Sequence, residues 1–248
     1  MTVYPPDLFA ATHQGIEGDA AWYRRQCEGA RSVLELGCGY GRILRELVAV
    51  VPDVHGLDLD DRMLGMAANS GAHLHRGDMQ DFDLQRTFDR ILIPHSGVYC
   101  LLEEDAVRRC FAAVRRHLAP GGVLALDAYV ADGFHDREDA QTWDDDEEVE
   151  LPPVRARGQA WRLFERSHWD RRAQRFDVVY RYAADDGTQE HGEIEHRYLL
   201  RDQAEALLRD AGFDRIRIEG GFEGELWSED AAATVVTASA PDRNVVPM

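Results

Sequence analysis

Apolar and polar positions along the chain change period several times, and each change marks an element. Val33, Leu34 and Leu36 form a short apolar run that breaks into Gly37-Cys38-Gly39-Tyr40-Gly41. Ile43, Leu44, Leu47, Val48 and Val51 then recur at helical spacing until Pro52 stops them. The stretch reads as a buried strand, a glycine turn and a helix. Val54 to Asp58 predicts a second strand ending in an acid, followed by Asp60 as N-cap of a short helix bearing Met63, Leu64, Ala67 and Ala68. A third strand over His73 to Met79 brings another acid, Asp78, to its end, and Phe88 to Pro94 gives a fourth. Ala106, Val107, Cys110, Phe111, Val114 and Leu118 mark an amphipathic helix over residues 103–118. After the turn Ala119-Pro120-Gly121-Gly122 a fifth strand runs from Val123 to Ala128. Strands alternating with helices predict an α/β fold with a doubly wound, mostly parallel sheet.

The pattern differs on either side of this core. Residues 1–30, with Leu8, Phe9, Ile16, Ala20, Ala21, Trp22 and Tyr23, predict a cap of one or two helices; the core spans 31–150 and resumes over 200–248. Between the two halves, residues 151–199 switch to period two. Trp161, Leu163 and Phe164 fall in one run, Phe176, Val178, Tyr180 and Tyr182 in a second, and Ile194, His196 and Tyr198 in a third, with Asp185-Asp186-Gly187-Thr188 turning the chain between the last two. That predicts an antiparallel β insertion of about three strands, too long for a plain loop. It would serve as a lid or a dimer surface and, from its Tyr, Trp, His and Arg content, as the source of substrate specificity. The acid run Asp144-Asp145-Asp146-Glu147-Glu148 reads as a solvated loop rather than a metal site, because adjacent like charges repel and no turn residues arrange them round a cation. Asp202 with Glu205 predicts a capping box for a last helix carrying Ala204, Leu207, Leu208 and Ala211 and stopped by Gly212. Two further strands follow, Phe213 to Glu219 and Ala232 to Ala240, and the tail from Pro241 is expected to fray.

Composition narrows the function. Hydrophobic residues at 44% suit a globular chain with a substantial core. The formal net charge of -18 argues against nucleic acid, whose binding relies on basic patches. All 28 basic residues are arginines, which excludes lysine Schiff-base chemistry. Cys27, Cys38, Cys100 and Cys110 lack a zinc or redox spacing, so no metal site is expected and the thiols fit a cytoplasmic protein. The first residues show no signal-peptide pattern, and no apolar run approaches the roughly 18 residues of a membrane span.

The glycine turn carries the first chemical signal. A strand, a turn and a helix start present free amide N–H groups to an anionic ligand group, and the glycines allow positive φ and close backbone approach. The spacing is G-x-G-x-G rather than the G-x-G-x-x-G of dinucleotide folds, which counts against a nicotinamide-dependent oxidoreductase. Asp58 follows 21 residues after Gly37, where a doubly wound fold sets a carboxylate against ribose hydroxyls.

The segments LELGCGYG, GLDLDDRML, RGDMQDF, FDRILIPH and LAPGGVLALD, in that order and spacing, resemble the class I S-adenosylmethionine (SAM) dependent methyltransferases over Arg31 to Tyr129, and more weakly over Tyr198 to Ala240. The resemblance implies a Rossmann-like seven-stranded sheet, mostly parallel, with an antiparallel edge hairpin and a β insertion before the last helix. It implies SAM as cofactor: Gly37, Cys38, Gly39 and Gly41 round its methionine end, Glu35 near its amino group, and Asp58 on the ribose hydroxyls. Leu59 would lie beside the adenine and Met63 over its face, while Asp78 accepts from the adenine amino group and Met79 supplies a backbone N–H. The methyl group would then face Pro94 and His95.

His95 is the first candidate for a catalytic or acceptor-orienting group. Tyr99 is expected to line the same pocket, and Tyr4, from an N-terminal segment that also offers Phe9, His13 and Tyr23, is the candidate to close it. The run His95-Ser96-Gly97-Val98-Tyr99 departs from the aromatic or Asn-rich run common in the family after that proline. His168, His191 and His196 fall in the insertion, with His196 beside Arg197 and Tyr198.

The layout is similar to enzymes that methylate amino sugars or glycine and its methylated derivatives, so an amine nitrogen of a small molecule is the expected acceptor. A hydroxyl acceptor, which needs a base such as His95, is the alternative. A non-catalytic SAM-fold module is a third reading, against which the intact glycines and the acids Asp58 and Asp78 count. No basic surface favours a phosphorylated acceptor.

Overall fold

The computed structural model describes residues 4–137, 142–144 and 147–240. The chain divides into two compact units: Met1–Gln14 with Phe134–Tyr198, and Gly15–Gly133 with Leu199–Met248.

In the larger unit, β1 (Ser32–Leu36), β2 (Asp53–Asp58), β3 (His73–Arg76), β4 (Phe88–Ile93) and β5 (Leu118–Ala128) run parallel, and β11 (Arg215–Glu219) and β12 (Thr234–Ser239) close one edge. The order is β11-β12-β5-β4-β1-β2-β3, with β12 antiparallel to β5 and β11 antiparallel to β12. This is the seven-stranded Rossmann-like sheet with an edge hairpin. The central strands are buried on both faces, which is why β1 is mostly apolar: Val33, Leu34 and Leu36 have no exposed surface.

Helices α2 (Asp19–Gln26) and α3 (Arg42–Leu47) cover one part of the sheet, with Trp22, Tyr23, Ile43, Leu44 and Leu47 packed on Val33 and Val54. Gly56 lets α3 settle there. A Cβ at this position would meet Leu44 Cδ1 at 2.6 Å and Cys38 Sγ at 2.8 Å. Helix α4 (Asp61–Ala67) starts under the predicted cap, Asp60 Oδ1 accepting from the Arg62 N–H at 2.8 Å. Helix α5 (Glu104–His117) buries the expected face, from Ala106 to Val114.

Three boundaries differ from the sequence reading. Strand β3 ends at Arg76, leaving Asp78 in the loop beyond, and β5 begins at Leu118 and continues through the Pro-Gly-Gly segment. The capping box expected from Asp202 and Glu205 is not formed. Helix α7 (Arg201–Asp210) has Leu200 at its N-cap, with Gln203 Oε1 accepting from the Leu200 N–H at 3.1 Å and the Asp132 carboxylate accepting from the Arg201 N–H.

The smaller unit is an antiparallel sheet of β6 (Thr142–Asp144), β7 (Val149–Ala156), β8 (Gln159–Asp170), β9 (Arg175–Ala184) and β10 (Gln189–Arg197), in which β8 carries β6 and β7 on its free side. It has five strands where the alternation gave three. Strand β7 is disguised by Pro152-Pro153, which fall at a register shift between Leu151 and Val154 where the ladder is interrupted. Helix α1 (Pro6–Thr12) packs against β7. Tyr4, Leu8, Trp161, Leu163, Val178, Tyr180 and Tyr182 form this unit's core. Of the acid run, Glu148 pairs with Arg181 at 2.5 Å; Asp145 and Asp146, like the tail from Pro241, lie outside the described residues. Among the described residues no helix is long and apolar enough to cross a membrane.

Candidate active site

Because β1 to β5 are parallel, their carboxyl ends share one edge of the larger unit, and the strand order reverses between β1 and its neighbours β4 and β2. The glycine loop leaves β1 there. Gly37, Gly39 and Gly41 have φ of 65°, 52° and 80°, a left-handed series that strains any residue bearing a Cβ. The loop is tied to the next strand: the Cys38 N–H donates to the Leu57 carbonyl at 3.0 Å, and the Gly39 N–H to Asp58 Oδ2 at 2.7 Å. Asp58 Oδ1 accepts from the Asp60 N–H at 2.9 Å, so this carboxylate clamps two loops. Burial raises its pKa.

Glu35, one residue before the loop, is buried, and its Oε2 has no hydrogen-bond partner. Burial pushes its pKa well up, against the opposing pull of Arg42. Beyond β3, Asp78 forms a turn with Gln80, accepting from its backbone N–H at 2.9 Å and its side-chain amide at 3.0 Å. The Met79 methyl group comes within 3.4 Å of where a Gly37 Cβ would stand. Met63 is buried, whereas Leu59 is exposed.

After β4, Pro94 leads into His95 and Ser96, two consecutive non-glycine residues at φ 55° and 57°. Such backbone costs roughly 1–3 kcal/mol per residue and persists only when its surroundings enforce it. The enforcing residue is Asp127, at the end of β5. Its Oδ1 accepts from the His95 N–H at 2.8 Å, its backbone carbonyl accepts from the Ser96 N–H at 3.0 Å, and Ser96 Oγ accepts from the Tyr129 N–H at 3.1 Å. The Tyr23 hydroxyl, on α2, donates to the same Oδ1 at 2.5 Å. Asp127 Oδ2 is buried without a partner, and burial lifts the pKa of this carboxyl to about 6 despite the Tyr23 and His95 hydrogen bonds. His95 is itself partly buried, and burial followed by the Arg42 charge lowers its pKa, which keeps the imidazole neutral near pH 7.

Arg42 opens α3 and holds the buried Asp19 through two hydrogen bonds of 2.8 and 2.6 Å, fixing the start of α2 against the loop. Tyr99 sits in the single 3₁₀ turn after Ser96 with its hydroxyl donating to the carbonyls of Tyr129 and Leu199, each at 3.1 Å. Tyr4 belongs to the smaller unit, where its hydroxyl meets Tyr182 Oη at 2.5 Å and His13 Nε2 at 3.0 Å.

The larger unit thus gathers Glu35, the glycine loop, Asp58, Leu59, Met63, Asp78, Met79, Pro94, His95 and Tyr99 at the carboxyl ends of its strands. Two contributors were not singled out from the sequence, Asp127 and the Asp19–Arg42 pair, whereas Tyr23 was among the N-terminal candidates and the structure gives it Asp127 as partner. Asp127 had a readable signal, since it ends a strand in an acid as Asp58 does. The Asp19–Arg42 contact joins residues 23 positions apart on different helices and leaves no local pattern.

A buried carboxylate oxygen without a partner, beside a loop of positive-φ glycines, suits a ligand with a cationic amine and a nearby anionic end. The amino-acid portion of SAM has both, so the residues fit this cofactor.

Comparison with known proteins agrees. The family described as methyltransferase domain matches residues 33–122. The chain is 31% identical, over 88% of its length and 87% of the relative's, to the dTDP-3-amino-3,6-dideoxy-alpha-D-glucopyranose N,N-dimethyltransferase of Streptomyces fradiae. It is 29% identical to the dTDP-3-amino-3,4,6-trideoxy-alpha-D-glucopyranose N,N-dimethyltransferase of Streptomyces venezuelae, over 81% of this chain and 83% of that one. Among solved structures it resembles the SAM-bound amino pentose methyltransferase CalS10 of Micromonospora echinaspora, involved in calicheamicin biosynthesis, with a TM-score of 0.68 at 25% identity, covering 96% of this chain and 98% of that one.

Proposed function

Because the chain belongs to the class I SAM-dependent methyltransferases, we propose that it methylates the amine nitrogen of an amino sugar. The observation that carries this reading is the 31% identity maintained across 87% of an amino-sugar N,N-dimethyltransferase, a length that takes in both units. SAM supplies a methyl group on a sulfonium, already activated for transfer to a nucleophile. The protein's tasks are to hold, align and exclude water, and alignment alone can contribute about 7–11 kcal/mol.

Glu35 supplies the carboxylate for the cofactor's amine, and Gly37, Cys38, Gly39 and Gly41 supply backbone close to its amino-acid end. Asp58 accepts one loop amide on each oxygen and keeps a further lone pair on each for the ribose hydroxyls. Asp78 and Met79 would hold the adenine edge, with Leu59 beside the ring and Met63 over its face. His95, held neutral, is the acceptor-facing group: it can take a proton from an ammonium or orient the free amine. Asp127 is a positioning residue that fixes the His95-Ser96 turn. Tyr99 spends its hydroxyl on the carbonyls of Tyr129 and Leu199, so its part is to shape the pocket rather than to move protons, while Tyr4, expected to close the pocket, has its hydroxyl against Tyr182 and His13 in the core of the smaller unit.

The smaller unit serves as a lid or as the surface of a homodimer. A small-molecule acceptor, with neither nucleic acid nor membrane as partner, is consistent with the charge of -18. The cytoplasm is the matching compartment, since all four cysteines are free thiols.

Incubation with methyl-labelled SAM and a panel of nucleotide-linked amino sugars, free amino sugars and their hydroxyl counterparts tests this. One or two methyl groups on nitrogen are expected. Label on oxygen alone, or no transfer to any amine, would overturn it, and the nucleotide-linked and free arms define the form of the acceptor.

A further inference from the structure

On one face of β2 and β3, where Asp53 stands roughly 17 Å before Asp58 at the strand rise, four metal-ligating side chains meet. Asp53 and His55 stand two residues apart on β2, His73 and His75 two apart on β3, and His55 is paired with His73 across the ladder. Asp53 Oδ1 lies 2.9 Å from His55 Nε2 and 4.0 Å from His73 Nε2, and one ligating atom from each of the three falls within 4.8 Å of the others. His75 stacks parallel to His55 and places its Nε2 2.7 Å from His55 Nδ1.

Proton counting shows that no single tautomer of His55 satisfies all of its contacts at once. A neutral imidazole has one N–H. His55 is buried, and both its nitrogens are in contact: Nδ1 with His75, and Nε2 with Asp53 Oδ1 at 2.9 Å and with the Arg86 guanidinium at 3.0 Å. If the proton is on Nδ1, the lone pairs of Nε2 and Asp53 Oδ1 point at each other. If it is on Nε2, that N–H donates to Asp53 Oδ1 and Nδ1 accepts from His75, but the Arg86 N–H then meets an N–H instead of a lone pair. Protonating both nitrogens is no relief, because the second N–H again faces the Arg86 guanidinium. A cation set between Nε2 and Oδ1 removes the conflict while leaving the Nδ1–H bond to His75 intact.

We propose that Asp53, His55 and His73 form a binding site for a divalent transition-metal ion such as zinc, with His75 as the hydrogen-bond partner that fixes the His55 tautomer. Donors about 2.1 Å from one tetrahedral ion lie about 3.4 Å apart, between the 2.9 and 4.0 Å separations measured from Asp53. The adjustment falls on His73, whose side chain is 71% exposed and can rotate toward the ion. Arg86 moves off His55 and keeps its ion pair with Asp53 and its place over the Phe88 ring. A ring N–H held by an outer partner is the usual way of orienting a ligating histidine.

Titration of the untagged full-length protein with Zn(II) in a chelator buffer should reveal one saturable site of micromolar affinity or tighter, and Zn(II) should raise the melting temperature. His73→Ala and Asp53→Asn should each weaken binding about tenfold or more and abolish the thermal shift. Their SAM affinity should stay at the wild-type value, which reports an intact fold independently of the metal. Co(II) should give visible bands in the wild type that His73→Ala lacks. Absence of a saturable Zn(II) site in the wild type, or variants that bind as the wild type does, would overturn the proposal.

Discussion

Asp127 governs a small region through one carboxyl group, and its titration makes that measurable. Its folded pKa of about 6 lies above the 3.8 of an ordinary aspartate, so the folded protein binds this proton more tightly than the unfolded chain. The contribution is complete below about pH 4 and is lost as pH rises through 6, for a total on the order of 3 kcal/mol. Asp127→Asn removes it. Between about pH 4 and pH 6 the variant should gain stability relative to wild type, as read from paired urea unfolding curves; parallel pH profiles would show that the carboxyl is ionised throughout. Two neighbouring substitutions separate binding from turnover. Asp58→Ala, which removes the clamp on Gly39 and Asp60 as well as the ribose acceptor, should weaken SAM about a hundredfold by calorimetry. His95→Ala should lower kcat about a hundredfold and leave SAM affinity near wild type; unchanged turnover would remove it from the chemistry. At this scale the sequence was informative about position where a residue stands at its own strand end, as with Glu35, Asp58 and His95. It was silent where the role depends on a partner far along the chain, as with Tyr23 and Asp127, 104 residues apart.

Among the elements, those whose pattern is driven by burial were the readable ones: β1, β2 and β4 are short and mostly buried, and α5 shows an apolar stripe. Strand β7 was hidden because its two prolines break the alternation, and only the register shift opposite β8 shows how the ladder tolerates them. The start of α7 was misplaced because its first N–H is satisfied by Asp132, 69 residues upstream, rather than by a local cap. Gly56 is an element-level constraint with no side chain to announce it. Gly56→Ala should cost about 1–3 kcal/mol by overpacking against Leu44 and Cys38, measurable as a fall in denaturation midpoint with unchanged m-value. An unaffected midpoint would mean that α3 can shift away from β2.

For the molecule as a whole, cofactor binding and net charge set the expectations. Saturation with SAM at a hundred times its Kd should stabilise the folded chain by about 2.7 kcal/mol, seen as a rise in Tm that Asp58→Ala abolishes at the same concentration. A protein of net charge -18 should pass through a polyanionic resin at low salt, and retention would reveal a basic surface that the composition conceals.

The order in which the polypeptide is made adds a temporal consequence. Tyr4 forms its hydrogen bond with Tyr182, 178 residues later, inside a unit assembled from the first 14 residues and a segment that ends at residue 198. At a ribosomal rate of about 5–20 residues per second, the first helix waits roughly 9 to 36 seconds for the sheet it covers. Over that interval Leu8 and Phe9 have no sheet to cover them on the nascent chain.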